Sequence, residues 1–380
     1  MKKTILKALS LTALFTYANY SHAQSDAARL LRSGKEEAAK LLTGYFNPLT
    51  KGLASGVNDA WYSTAKPLGP LGFDIRTGVG FSITNSDAES FTLASVAANR
   101  DYNKGLVIEP ANGIYDTKIP TIVGNGKSVD LIVKTNHPLF PGQTIDIDTI
   151  KGIEGLNTPI SLGASPFVQL SVGIVKETEI MIRFLPIQAG DFSSSGYGFG
   201  VKHSLTQWIW GVDKLPIDIS GIFTYTNNVL EYKFGDNYMQ SDGSSGSLSE
   251  SEYKNSQKIR ITTSGWQVGA IISKKLLFFT PYASVVFNSA NSEMAMLGIY
   301  PVHSVRQNGA TVENYTENVT DPVKLSSTLN ALRSAFGFRT KFGPVALGME
   351  YNLSYSKDQF STFNFNLAVN IQQLMPIPKL

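Results

Sequence analysis

Three histidines, His137, His203 and His303, remain once the first 23 residues are set aside, and the chain has no cysteine. A serine hydrolase needs a histidine within reach of both a serine and an orienting carboxylate or amide. His203 follows Lys202 on the apolar parity of an alternating stretch, where an interfacial histidine is the simpler reading. His137 and His303 fall in loop-like sequence without ligand spacing, so no zinc site is expected. Asp146 and Asp148 lie on one side of a short extended run and could bind calcium with a third ligand, although such pairs are common on surfaces. Gly196-x-Gly198-x-Gly200 lacks the spacing and the helix of a dinucleotide fingerprint. Three glycines on one strand face instead admit a plug or a neighbouring backbone. The sequence therefore predicts no catalytic residue, no metal ligand, no cofactor and no enzymatic activity.

The charges with positional meaning are Asp74, Arg76, Glu179, Arg183, Lys202, Asp218, Arg333, Arg339 and Glu350. Each falls on the polar parity of a strand-like segment. A charge facing the inside of a narrow barrel must be paired or reach water. The nine read as a structural ion-pair network filling the lumen, or as a polar path or contact for an N-terminal plug.

The elements that must position them alternate with period two. From residue 72 onward Phe73, Ile75, Val79, Phe81 and Ile83 oppose Asp74, Arg76, Gly78, Gly80 and Ser82. The pattern recurs to the end, for instance Phe363, Phe365, Leu367 and Val369 against Asn364, Asn366 and Asn370. The polar face carries Gly, Asn, Gln and Ser rather than the Lys, Glu and Thr of a water-facing sheet. The apolar face carries aliphatics flanked by aromatics, as a lipid-facing band does. Ten strands are expected, near 72–84, 167–176, 178–186, 195–204, 215–235, 258–273, 276–290, 327–340, 343–356 and 361–372. Short connections alternate with long ones at 85–166, 236–257 and 291–326. Strands at 91–96 and 131–134 would raise the count to twelve or fourteen. The fold expected is all-β: an antiparallel transmembrane β-barrel of about ten strands with an N-terminal periplasmic or plugging helix.

Before the strands, residues 25–45 read as a helix stopped by Gly44 and Asn47-Pro48. Lys35, Glu36 and Glu37 lie on its solvent side, and residues 47–70 read as irregular. Residues 1–23 have a basic start (Lys2, Lys3, Lys7), a short apolar stretch and Ser21-His22-Ala23, the pattern of a signal peptide cleaved after Ala23. The domain scheme is a signal at 1–23, helix and linker at 24–71, a barrel at 72–372 with the long insertion 85–166, and a tail at 373–380. Residues 98–166 hold six prolines and should fold on themselves, cap the barrel or enter the lumen.

Composition sets outer limits. The 380 residues hold 33 Lys+Arg against 30 Asp+Glu, and losing the three signal lysines makes the chain formally neutral. A nucleic-acid partner is not expected without a basic surface. Charged residues are 17 %, below the ~25 % of soluble domains.

The segment LLTGYFNPLTKGLASGVNDAWYSTAKP (41–67), then GFDIRTGVGFS (72–82), GIVKETEIMIRFLP (173–186), GFGVKHSLTQW (198–208), LPIDISGIFTYT (215–226) and the ending PIPKL (376–380) together resemble a family of uncharacterised Bacteroidetes outer-membrane proteins, a domain of unknown function. In style the family is distantly similar to the FadL-like transporters of hydrophobic compounds, which plug the lumen with an N-terminal segment. The resemblance implies an outer-membrane barrel with a periplasmic N-terminal helix and no established activity. One departure is the tail QQLMPIPKL after the last strand, where many barrels end on an aromatic.

Function is therefore expected at the cell outer membrane, with outer-membrane lipid as a partner. The leading expectation is gated or plugged passive transport of a small hydrophobic molecule, because about ten strands leave little open bore. The alternative is a structural or interaction barrel presenting loops to a protein partner. A minor alternative is a soluble periplasmic β protein.

Overall fold

The alternating segments do form strands, and they close. The computed structural model describes residues 30–371 apart from 32, 84–85, 138, 156–164, 186, 210–214, 240–247, 309–310 and 357–359. The expected signal peptide and C-terminal tail lie outside the described residues. Ten antiparallel strands form one ring: β1 (Phe73–Ile83), β7 (Ser165–Ile174), β8 (Thr178–Phe184), β10 (Phe192–Ser204), β11 (Asp218–Lys233), β12 (Lys258–Ser273), β13 (Phe279–Leu297), β16 (Val323–Phe342), β17 (Val345–Ser354) and β18 (Ser361–Ile371). The ring closes where β1 pairs with both β18 and β7, Phe73 opposite Ile371 and Val172. A short β9 (Ile187–Ala189) continues β8 along β10.

The remaining strands stand outside the ring. The long insertion holds β2 (Ser90–Phe91) paired with β4 (Ile119–Pro120), and a three-stranded sheet of β3 (Val107–Pro110), β5 (Leu131–Asn136) and β6 (Thr144–Ile150). Of the two strands that could have raised the count, the one at 131–134 forms within β5 and the one at 91–96 reduces to the Ser90–Phe91 pairing; both belong to a cap outside the barrel, so the count stays at ten. Residues 291–326, expected as a loop, are mostly strand. β13 and β16 run on past the barrel, and β14 (Ile299–Asn308) and β15 (Thr311–Thr320) form a hairpin between them.

The connections sort by end. Three of the turns at one end are tight, at residues 175–177, 274–278 and 343–344, the last using Gly343 at φ 58°. The cap, the β14–β15 hairpin and a short helix α2 (Glu250–Ser256) lie at the other, long-loop end.

The outward parity is exposed and apolar. Phe199, Val268, Leu347, Phe365 and Leu367 are each between 44 and 52 % exposed. Trp208, Phe278 and Phe342 edge this belt at the short-turn end, and Tyr197, Tyr225 and Trp266 edge it at the other. A soluble sandwich would bury that face. Here the barrel turns it outward, which removes the physical basis of the soluble reading.

The helix α1 (Lys35–Gly56) corrects two expectations, its stop and its solvent face. It runs straight through Gly44 and Pro48, where the sequence suggests a stop. It lies inside the ring, against β16, β13, β1 and β12, so of the two placements expected it takes the plugging one. It also buries Glu37, which accepts a hydrogen bond from the Asn99 amide at 2.9 Å. Gly44 is there for space: a Cβ on it would lie 2.5 Å from the Phe91 ring. Pro48 disturbs the helical ladder. Its missing N–H leaves the Gly44 carbonyl without a helical donor; one residue on, the Tyr45 carbonyl accepts the Ile122 amide of the cap at 3.0 Å.

Direction follows from the contacts. The first half of α1 packs in a core with the cap and with strand ends at the long-loop end: Leu41, Leu42, Tyr45 and Phe46 against Leu93, Ile108, Leu131, Ile150, Met294 and Val302. The chain then descends. Residues 57–71 reach the opposite rim, where the Leu71 amide donates to the Gly173 carbonyl at 2.9 Å. The helix is thus not confined to the short-turn end, where a periplasmic helix was expected; its start is at the far end.

Candidate functional site

The site is the filled lumen. Residues 57–71 thread it in an irregular path, so their backbone groups cannot pair within a helix or ladder and must be met by the wall. Wall residues on the inward parity take carbonyls at the end of α1 and then meet the irregular segment one group at a time. Ser82 donates to the Gly52 carbonyl at 2.7 Å, and Arg333 Nη1 donates to the Ser55 carbonyl at 2.6 Å. Arg183 Nη1 donates to the Asp59 carbonyl at 2.8 Å. The Ala60 amide donates to Glu350 Oε1 at 3.3 Å, and Gln169 Nε2 donates to the Trp61 carbonyl at 3.0 Å. Lys202 Nζ donates to the Thr64 carbonyl at 3.2 Å. Ser273 Oγ accepts the Ala65 amide at 3.0 Å while Ser220 Oγ donates to the Ala65 carbonyl at 2.6 Å. Glu179 Oε2 accepts the Leu68 amide at 3.0 Å.

Side chains of the plug are held too. Asp59 pairs with Arg333 at 2.7 Å, and both are nearly fully buried. The Trp61 indole N–H donates to Thr226 at 3.2 Å. The Arg183 guanidinium lies between two rings, 4.1 Å over Trp61 and 4.0 Å over Phe167, a desolvated cation–π arrangement. The Tyr62 hydroxyl meets Ser284 at 2.6 Å. Room for Trp61 comes from the glycine face of β10. A Cβ on Gly198 would lie 2.8 Å from the indole.

Of the nine charges singled out from parity, Asp74, Arg76, Glu179, Arg183, Lys202, Arg333, Arg339 and Glu350 are buried in this lumen. Asp218 shares the inward parity but sits half-buried at the short-turn rim. The pairs are Asp74 with Arg339 at 2.8 Å and with Arg76 at 3.5 Å, and Glu179 with Lys202 at 3.0 Å. Glu350 accepts from Tyr282 at 3.0 Å and from Asn352 at 2.9 Å. These eight wall residues are five cations and three carboxylates. The plug supplies Asp59 and a run of carbonyl oxygens to match them. Ion-pair network and plug contact are thus one arrangement rather than rival ones.

Parity arguments could not find Asp59, Trp61 or Tyr62, which lie outside the strands; Gln169 and Asn288 share the inward parity but carry no charge to single them out, and Asn288 faces Asn58 at 2.9 Å. The one available signal was the large aromatic pair Trp61-Tyr62 inside a Gly- and Pro-rich linker, together with glycines on a lumen face.

The other candidates are accounted for locally. His203 is held at the short-turn end by Thr178 at 2.8 Å and by the Trp208 indole at 2.9 Å. Asp146 lies 3.8 Å from Lys134. Among the described residues no three His, Cys, Asp or Glu cluster as metal ligands. His137 stacks near Phe140 in the cap hairpin.

The sequence matches the Family of unknown function (DUF6588) over residues 1–371. The chain belongs to that family. Among curated proteins none matches. Solved structures that are similar include the translocator domain of autotransporter NalP from Neisseria meningitidis, at 9 % identity and TM-score 0.28, covering 84 % of this chain and 91 % of that one. The β domain of the Bordetella autotransporter BrkA gives 7 % identity and TM-score 0.29, covering 80 and 100 %. Ail, the attachment invasion locus protein of Yersinia pestis, gives 7 % and 0.25, covering 79 and 97 %. Likeness of that extent carries no argument about activity.

Proposed function

We propose that this chain is an outer-membrane barrel sealed by its own N-terminal segment, and that it works through the cap it presents at the cell surface. The exposed apolar belt with aromatic edges supports the membrane setting. Outer-membrane barrels keep their short turns in the periplasm and their long loops outside, so the cap faces outward and α1 enters the lumen from the outer side. The observation that carries the seal is the binding of residues 55–68 along their backbone by Arg333, Arg183, Glu350, Gln169, Lys202, Ser273, Ser220 and Glu179. A bore so occupied has no standing path for solute. No enzymatic role is proposed.

The working surface is then the folded insertion with the β14–β15 hairpin, which suits docking of a protein partner. The cap is fixed to the plug through the shared core of α1, so the surface is held rigidly to the barrel. Single-channel recording in planar bilayers tests the seal. The intact protein should insert without steady conductance, whereas steady ohmic current from the intact protein would sink the reading.

Gated passage of a small hydrophobic molecule is a second reading, favoured by one feature. The backbone of the lower plug is held by polar contacts, which can exchange for water, with only the small cluster around Trp61 and Tyr62 apolar. The upper half is fixed in an apolar core. Uptake of a hydrophobic solute by the intact protein, lost on locking the plug, would select this reading.

A further inference from the structure

On the outside of the wall, between β10, β11 and β12, a concavity of about 400 Å³ opens. It is lined by Ser193, Ser195, Val229, Glu231, Arg260 and Thr262. It sits one step beyond the aromatic edge of the belt. Ser195 is two residues from Tyr197, and the paired Val229 and Thr262 are each four residues from the paired Tyr225 and Trp266. Tyr and Trp settle at the level of lipid headgroups. The concavity therefore lies at headgroup depth in the outer leaflet, with Phe199, Phe223 and Val268 of the belt beneath it.

Its chemistry is cationic and hydroxylated. Glu231 is held between two cations, Arg260 Nε at 2.5 Å and Lys258 Nζ at 3.4 Å. Lys233 is exposed two residues further out on the same face. The next carboxylate around the wall, Glu293, is held by Lys324 at 3.1 Å. Arg260 spends its Nε on Glu231, and its terminal nitrogens have no protein partner among the described residues. That contact orients the planar fork, the group best matched to two oxygens of one phosphate. Ser193, Ser195 and Thr262 add hydroxyl donors.

We infer that this concavity binds the phosphate-bearing headgroup of a lipid whose acyl chains lie on the belt below. The inference rests on the membrane reading above. A soluble phosphate would gain nothing from the apolar floor, and a neutral lipid nothing from the cations.

The test is native mass spectrometry of the full chain purified in neutral detergent, with lipid A as the probe and dephosphorylated lipid A and inorganic phosphate as controls. One phosphorylated lipid should be retained per barrel. Occupancy should fall by about tenfold in Lys258→Gln/Arg260→Gln, as expected for the loss of charge-assisted hydrogen bonds, and should hold in Lys324→Gln. A milder variant, Ser195→Ala, should give a smaller loss. Equal retention of the dephosphorylated lipid, equal retention by the double variant, or competition by inorganic phosphate at matching concentration would each overturn the site. The same preparation is run on a gel with and without boiling. A heat-shifted barrel that fails the lipid test rejects only the site, whereas a protein without a shift rejects the membrane reading itself.

Discussion

The Asp59 carboxylate and the Arg333 guanidinium, 274 positions apart in sequence, meet at 2.7 Å in the middle of the barrel, both closed off from solvent. Arg333 also holds the Ser55 carbonyl and Thr362, so one side chain ties the end of α1, the start of the lower plug and strand β18 together. Removing one partner of a buried pair leaves an uncompensated charge and costs roughly 3–5 kcal/mol. Asp59→Ala should therefore lower the midpoint of urea unfolding in detergent micelles, and Arg333→Met in the same background should restore part of the loss. Two separate losses that simply add would mean that the pair does not form.

Trp61 and Gly198 should behave as one unit. Trp61→Ala opens a cavity in the lumen and costs roughly 3–5 kcal/mol. Gly198→Ala forces a Cβ to within 2.8 Å of the indole and 2.7 Å of the Tyr225 carbonyl, an overpacking of roughly 1–3 kcal/mol. Because they share a contact, the double variant should be less destabilised than the sum, as read from a double-mutant cycle. The Tyr225 carbonyl keeps the rescue incomplete.

Gly44 couples helix to cap. Gly44→Val should drive Phe91 out of its seat and loosen residues 86–155 while the ring of ten strands persists. Limited proteolysis of the folded protein should then cut within the insertion faster than in wild type, with the heat-shifted band still present. Unchanged cleavage would show that the cap does not depend on that contact.

The cap should also loosen in acid. Tyr102 donates a hydrogen bond to the Glu109 carboxylate, and with Lys134 at 2.9 Å and Tyr115 at 3.1 Å it holds that carboxyl below the usual glutamate range. Glu109 therefore binds its proton more weakly folded than unfolded. The stabilisation is complete above the ordinary value of about 4.3 and is lost as pH falls through the lower folded value. Near-ultraviolet circular dichroism of the cap tyrosines should show a lower melting temperature at about pH 3 than at about pH 6, and Glu109→Gln should flatten that difference. The burial of Tyr115 and the neighbouring Glu109 push the Tyr115 hydroxyl up to about 12, so it stays protonated across this range.

The barrel was legible in the sequence because a strand with lipid on one side and a crowded lumen on the other writes its two faces in alternate residues. Phe363 to Val369 against Asn364 to Asn370 is such a record, and the strand β18 follows it. The plug was legible only as one of two placements for the N-terminal helix, and its path through the lumen was not. Residues 57–71 take partners from strands on all sides of the ring, and no period in their own sequence encodes neighbours so scattered. Gly44 and Pro48 misled for a related reason. Both break an isolated helix, yet tertiary packing against Phe91 and the Ile122 amide overrides the local preference. The direction of α1 depends on the apolar core it shares with the cap, a long-range contact that its own amphipathic pattern cannot specify.

A disulfide decides whether α1 lies in the barrel bore. The chain has no cysteine, so an engineered pair has no competitor. A Cβ on Gly52 of α1 would lie 3.6 Å from the Ser82 Cβ of β1, inside the range of disulfide geometry. Gly52→Cys/Ser82→Cys, expressed and taken from the outer-membrane fraction, should be oxidised in nearly all of the heat-shifted barrel and show no free thiol to maleimide. Two freely labelled thiols in a folded, heat-shifted barrel would put α1 outside the bore.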